Sequence, residues 1–394
     1  MKKKKLLLGF AIGMTLFLLW GGGICYAAIS GVCSNCHTMH NSQGGDGEVE
    51  TYSGGSLLTQ QTTPQNQLLK ASCIACHAGS SGATNDHGAP IVVHTGSAPG
   101  GQGASYTLAG GDFWWVATGL GYATHGDAYG HNVAGISAVD ATLTETPPGF
   151  DTGATPGILG DGSIANGGSW GTQLTCAGMY GCHGSHAYTD ADTAIAGAHH
   201  GNTGGTSAQV SSAAIASSVG ASYRFLGGIW GLENSNWNFG ETIANHNEYY
   251  GIAAPSATYG IKNTISYSCA QCHGTFHDSD TIGGTSSPWT RHPTDLVLPN
   301  TTGKEYSDYN PDAANVYSLV APVARGAVPA LSSSTVQVDG IADADGAIVM
   351  CLSCHRAHGS PEPDLLRWTY SGIQAGSGIT DTGCFICHTT KNAD

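Results

Sequence analysis

Five times the chain writes two cysteines three positions apart with histidine directly after the second. These are Cys33-Ser-Asn-Cys36-His37, Cys73-Ile-Ala-Cys76-His77, Cys269-Ala-Gln-Cys272-His273, Cys351-Leu-Ser-Cys354-His355 and Cys384-Phe-Ile-Cys387-His388. Thiols at this spacing reach the two vinyl groups of one haem, and the adjacent imidazole then swings under the iron as an axial ligand. A disulfide framework or a zinc site would use such thiols, but neither requires histidine after every second cysteine. A sixth pair stands in Cys176-Ala-Gly-Met-Tyr-Gly-Cys182-His183, three residues longer than the rule. Three extra residues amount to about one added helical turn, which leaves both thiols in reach of one porphyrin edge. The competing reading is a local Cys176–Cys182 disulfide without haem. The expected cofactor is therefore haem c, six per chain, or five if this site is empty.

Histidine supply tells how the irons are closed. Of 18 histidines, His37, His77, His183, His273, His355 and His388 are spent as proximal ligands, leaving twelve. Beyond residue 27 the only methionines are Met39, Met179 and Met350, too few for general His/Met ligation. Bis-histidine, low-spin, low-potential haems are expected. His40, His186 and His358 lie three residues after a proximal histidine, and His277 lies four after one. A side chain so placed points away from its own haem and is available to a neighbouring iron. His94, His131 and His292 stand far from any motif and bring to seven the candidates for the six distal positions. His87, His125, His199, His200 and His246 read as surface or packing residues.

The elements that must hold these groups are sparse. Gly is 59 of 394 residues and charged residues are 10%, so long stretches carry neither helical nor strand periodicity. Such a chain needs a core from outside its own side chains, and covalent porphyrins supply one. The expected fold is mostly irregular coil with short helices and few strands, an elongated multihaem cytochrome with its core built from covalent haems. Short helical turns are expected at the motifs. Trp114, Trp115, Trp230, Trp237 and Trp289 are expected to pack on porphyrin faces.

Residues 1–27 read as a secretory signal peptide. Lys2 to Lys5 are basic, Leu6 to Trp20 are apolar, and Cys25-Tyr26-Ala27 is the boundary. An uncleaved anchor is the alternative, but fifteen apolar residues are short for a membrane span. Cys25 leaves with the leader, because Ile24 is bulky where a lipoprotein signal has a small residue. No membrane span remains after cleavage. The formal net charge of −15 loses four lysines and becomes −19, which argues against nucleic acid as a partner. The motifs begin at 33, 73, 176, 269, 351 and 384, with Gly/Thr/Pro-rich and Ser/Ala/Gly-rich stretches such as 142–169 and 201–222 between them. Those stretches read as loops draped over haems, so residues 28–394 are expected to form a single elongated hexahaem unit.

Several islands resemble the OmcS-like hexahaem outer-surface cytochromes. They are Cys33 to Ser42 (CSNCHTMHNS), Gly110-Gly111-Asp112-Phe113, Gly130-His131-Asn132, Tyr223 to Gly228 (YRFLGG), Arg291-His292-Pro293, Cys351 to His358 (CLSCHRAH) and the closing motif at Cys384. The resemblance implies an extracellular cytochrome nanowire, a head-to-tail filament of identical subunits that carries electrons to redox partners or extracellular acceptors. It also implies that His40 ligates the Cys351/Cys354/His355 haem of the adjacent subunit. The third motif departs from the family's spacing. Two other functions compete: a monomeric periplasmic electron shuttle, and a multihaem reductase. A reductase needs an iron with an open position, and the surplus of histidine argues for an electron carrier rather than an enzyme.

Overall fold

The computed structural model describes residues 37, 52–53, 56–57, 68, 73–84, 89–99, 108–117, 126–150, 170–195, 209–210, 222–233, 240–253, 263–274, 276, 292–300, 308–313, 315–343, 346–377 and 383–389. Within them no strand exceeds three residues and no helix six. In chain order, β1 (Tyr52–Ser53) pairs antiparallel with β2 (Ser56–Leu57), and β3 (Ala78–Gly79) pairs parallel with β4 (Val93–His94). β5 (Thr175–Ala177) pairs parallel with β6 (Gly181–His183). β7 (Gln209–Val210), β8 (Gly231–Leu232) and β9 (Glu248–Tyr249) form a three-stranded antiparallel sheet, and β10 (Leu296–Val297) pairs antiparallel with β11 (Ile348–Val349). The helices are α1 (Ile74–His77), α2 (Ala191–Ala194) and α3 (Ile265–Ala270). Side chains start two of them: Asp190 accepts from the Thr193 amide at 2.7 Å and Thr264 from the Tyr267 amide at 3.1 Å. This is the irregular architecture that the composition implied. Among the described residues no helix is long and apolar enough to cross a membrane.

The expectation that porphyrins alone supply the core is incomplete. Two neighbouring apolar clusters are gathered from the chain's own side chains. One gathers Leu298, Tyr309, Tyr317, Val323, Val336, Val338, Ala347 and Ile386; the other gathers Tyr223, Ile229, Tyr249, Ile265, Tyr267, Ala324, Ile348 and Met350. Each segment contributes only one or two residues, joined by isolated bridges such as Ala324 to Ile348 and Tyr250 to Arg325, so no period of two or 3.6 announces them. An ion pair lies among them. Arg325 Nε donates to Glu248 Oε2 at 2.7 Å, and both side chains are fully buried. Arg325 also donates to the carbonyls of Thr335 (2.8 Å) and Ser333 (2.9 Å), while Glu248 Oε1 accepts from the Ser333 amide at 2.6 Å. The pair is thus satisfied, as buried charges must be.

A third cluster, Ile74, Val93, Phe113, Val116, Val133 and Ile136, lies beside the second attachment motif. Here the segment through Gly111 crosses the segment through Gly359. Gly111 has φ +80, and a Cβ there would overlap the Gly359 carbonyl oxygen. Only glycine permits that approach, and the crossing sets where His358 projects.

Candidate haem-attachment sites and axial ligands

Four regular motifs lie within the described residues, and they share one backbone device. The carbonyl of the first cysteine accepts the amides of the second cysteine and of the histidine: Cys73 from Cys76 and His77 (3.1 and 3.0 Å), Cys269 from Cys272 and His273 (3.1 and 3.0 Å), Cys351 from Cys354 and His355 (3.2 and 3.1 Å), Cys384 from Cys387 and His388 (3.2 and 2.9 Å). Each motif is therefore one helical turn with its two thiols on one side. Of the first motif only His37 is described; Cys33 and Cys36 lie outside the described residues.

A backbone carbonyl orients four proximal imidazoles. Nδ1 of His77 donates to Pro90 O (2.9 Å), of His183 to Arg224 O (2.9 Å), of His273 to Pro148 O (2.7 Å) and of His355 to Asp364 O (2.7 Å). That bond selects the tautomer in which Nε2 keeps its lone pair for a metal. Burial holds His77 and His183 below the usual histidine range, so both rings stay neutral, as ligation requires. Sequence reasoning missed these carbonyl acceptors because a carbonyl carries no residue signature. The one trace is conformational: Arg224 and Asp364 sit at φ 49 and φ 59, a left-handed backbone uncommon outside glycine that recurs at functional sites.

Three of the expected distal histidines face a proximal one. Ring centroids are 6.2 Å apart for His131 and His273, 6.3 Å for His358 and His183, and 6.1 Å for His292 and His388. A metal held between two imidazole nitrogens at about 2 Å from each puts the ring centroids roughly 6 Å apart. The distal rings are turned by the same carbonyl device, through Ala357 O for His131, Gly111 O (3.3 Å) for His358 and Pro293 O (2.9 Å) for His292. His358 stacks on Phe113 at 4.7 Å. Burial, reinforced by His183, pushes its pKa down to about 3.

Two expected distal ligands are placed otherwise. His94 donates through Nδ1 to Asp112 Oδ2 (2.7 Å) and has Nε2 against Gly82 O (3.0 Å), contacts that tie β4 to the turn at Phe113–Trp115. His186 directs Nε2 to Gly181 O (2.9 Å), inside its own motif. His246, read as a packing residue, stacks on Tyr317 at 3.7 Å and bonds Glu248. His40, His277, His87, His125, His199 and His200 lie outside the described residues, as do Trp237 and Trp289. Trp114 and Trp115 are buried in the turn at Phe113–Trp115, and Trp230 packs on Tyr250 at 4.8 Å.

The third motif takes a different route from the helical turn its length suggested. Its cysteines stand on paired parallel strands, with Thr175 opposite Gly181 and Ala177 opposite His183, so Cys176 is opposite Cys182. Neighbouring strands lie about 4.8 Å apart, close to the roughly 5–6 Å between side chains one helical turn apart. The loop that joins them requires Gly178, at φ +89, where a Cβ would meet Tyr188 O at 2.8 Å. The Cys176 thiol hydrogen-bonds that of Cys73, and the Cys269 thiol that of Cys351. The second and third attachment sites thus adjoin, as do the fourth and fifth.

The surroundings fit a group that carries carboxylates. Arg356 is 2% exposed, bonds Leu108 O at 2.9 Å through Nη1 and has no partner for its buried Nη2. Burial, with Arg367 nearby, lowers its pKa to about 9. A buried orphan donor of this kind calls for a ligand group, and haem propionates are of the required charge.

A protein-family profile for a doubled CXXCH motif matches residues 344–393, which hold the fifth and sixth motifs. The chain is 28% identical to the C-type cytochrome OmcS of Geobacter sulfurreducens, over 85% of this chain and 78% of that protein. Two solved structures also align at 21% identity. They are the outer membrane cytochrome S filament (88% of this chain, 85% of that one, TM-score 0.41) and the OmcS nanowires seen by cryo-electron microscopy (93% and 92%, TM-score 0.42), both from Geobacter sulfurreducens. By its attachment motifs and over most of its length, the chain is similar to a c-type cytochrome, OmcS.

Proposed function

We propose that residues 28–394 form a hexahaem c-type cytochrome for extracellular electron transfer, whose identical subunits join head to tail. The observation that carries the haem reading is the three imidazole pairs at 6.1–6.3 Å, each containing one proximal histidine of an attachment motif. When bound, haem supplies an iron that takes up and gives up one electron. The chain's residues do the rest. His131 closes the fourth site, His358 the third and His292 the sixth, while the carbonyls of Pro148, Arg224 and Asp364 fix the proximal rings. Two histidines per iron leave no position for a substrate, which favours a carrier over a reductase. The adjoining thiols of Cys73 and Cys176, and of Cys269 and Cys351, bring successive sites close enough for electrons to pass between them.

The head-to-tail reading has its own support. His355 is exposed, whereas the described proximal imidazoles of the other motifs are at least partly buried. An iron on this ring is thus accessible to a ligand from a second subunit, and we assign His40 to that role. Export with removal of residues 1–27 belongs to the same proposal. Intact-protein mass spectrometry tests the cofactor content, with six haems expected; five haems and a Cys176–Cys182 disulfide would remove the third site. Electron microscopy of material sheared from cells tests assembly, and haem-loaded monomers alone would favour the periplasmic shuttle.

A further inference from the structure

The three additional residues of the third motif do not spread into solvent. Met179 and Tyr180 pack with Trp170, Phe150 and Leu174 around Cys272, the second cysteine of the fourth motif, which is 9% exposed. The rings form a relay: Tyr180 meets Trp170 edge-on at 5.2 Å, and Trp170 meets Phe150 edge-on at 5.4 Å. The Phe150 amide bonds Pro147 O, and Pro148 is the residue whose carbonyl holds His273 Nδ1 at 2.7 Å. The loop itself is pinned, with the amide of Met179 on Tyr188 O (2.7 Å), of Gly178 on His183 O (3.0 Å) and of Thr175 on Tyr180 O (2.9 Å).

We infer that the insertion in the third motif serves the fourth haem: Met179 and Tyr180 shield its Cys272 edge from water and, through Trp170 and Phe150, brace the carbonyl that orients His273. They are positioning residues, and the inference rests on the haem-carrying function proposed above. Apolar shielding disfavours the more highly charged oxidised iron and raises the potential. Opening the Cys272 edge should therefore make one haem of the set harder to reduce.

The test uses the purified holoprotein and three single variants, Tyr180→Ala, Met179→Ser and, as a control that keeps the ring, Tyr180→Phe. Intact mass comes first: fewer than six haems in the unaltered protein, with Cys176 and Cys182 unmodified, would overturn the underlying reading. With six haems present, redox titration should show one midpoint of Tyr180→Ala and Met179→Ser displaced downward. A tenfold change in that equilibrium, about 59 mV for one electron, is expected. Hydrogen exchange should rise in the peptide containing Phe150, and Tyr180→Phe should match the unaltered protein. Titrations of Tyr180→Ala and Met179→Ser that superimpose on the unaltered protein would overturn the inference. So would loss of the third haem with the other midpoints unmoved, since the insertion would then serve only its own site.

Discussion

A histidine can bind iron only through a ring nitrogen that its surroundings leave alone, and that criterion separates histidines which look alike in the sequence. His131 turns Nδ1 to a carbonyl and faces His273 at 6.2 Å. His94 spends both nitrogens on Asp112 and Gly82. His131→Ala should therefore convert one haem to a high-spin or ligand-exchanging form, seen by electron paramagnetic resonance of the oxidised protein. His94→Ala should leave the spectrum low-spin and lower stability by about 1–3 kcal/mol, because the buried Asp112 carboxylate loses its partner. A high-spin signal from His94→Ala would restore it as a ligand. Both residues were legible as candidates from their distance to the motifs. What separates them, a carboxylate 18 positions away for one and a carbonyl 226 positions away for the other, is long-range and had no local trace.

Short elements hold these rings; their stability comes from pairing rather than length, and some of them carry backbone strain. The turns at Tyr223–Phe225 and Pro363–Leu365 each place two successive non-glycine residues in the left-handed region: Arg224 and Phe225, then Asp364 and Leu365. Each turn aims one carbonyl at a proximal histidine. Asp364→Gly keeps that carbonyl and relieves the backbone, so it should raise stability by about 1 kcal/mol in chemical denaturation without changing the haem spectrum. The Arg325–Glu248 pair works in the opposite sense. Glu248→Ala leaves a buried guanidinium without its counter-charge, and a loss of about 3–5 kcal/mol is expected by the same measurement. The attachment turns were predictable because C-x-x-C-H is a local pattern. The parallel pairing at Cys176 and Cys182 was not, since length alone does not distinguish a helical turn from a loop through Gly178 between paired strands.

At the scale of the whole molecule, a head-to-tail contact that does not close on itself propagates into a fibre, and a metal–ligand bond across it would fix the register of the subunits. His40→Ala should accordingly give a folded, fully haem-loaded chain that makes few or no filaments in electron micrographs, with the exposed His355 site high-spin or bound to another ligand. Normal filaments with every iron low-spin would assign that bond to another histidine. The attachment chemistry followed from the sequence alone, because thioether formation depends on residues a few positions apart and twelve of the thirteen cysteines fall into six pairs that obey one spacing with a single departure. The excess of histidine over methionine likewise settled the expected ligand type. Which imidazole faces which, and which carbonyl holds each, were decided by the tertiary structure. Those partners come from segments as distant as 357 and 131 or 148 and 273, and only the folded chain brings them within bonding distance. The protein-built core around Tyr309, Tyr317 and Ile348 was hidden for the same reason: burial there is assembled from single residues of many short segments, and no run of sequence carries its period.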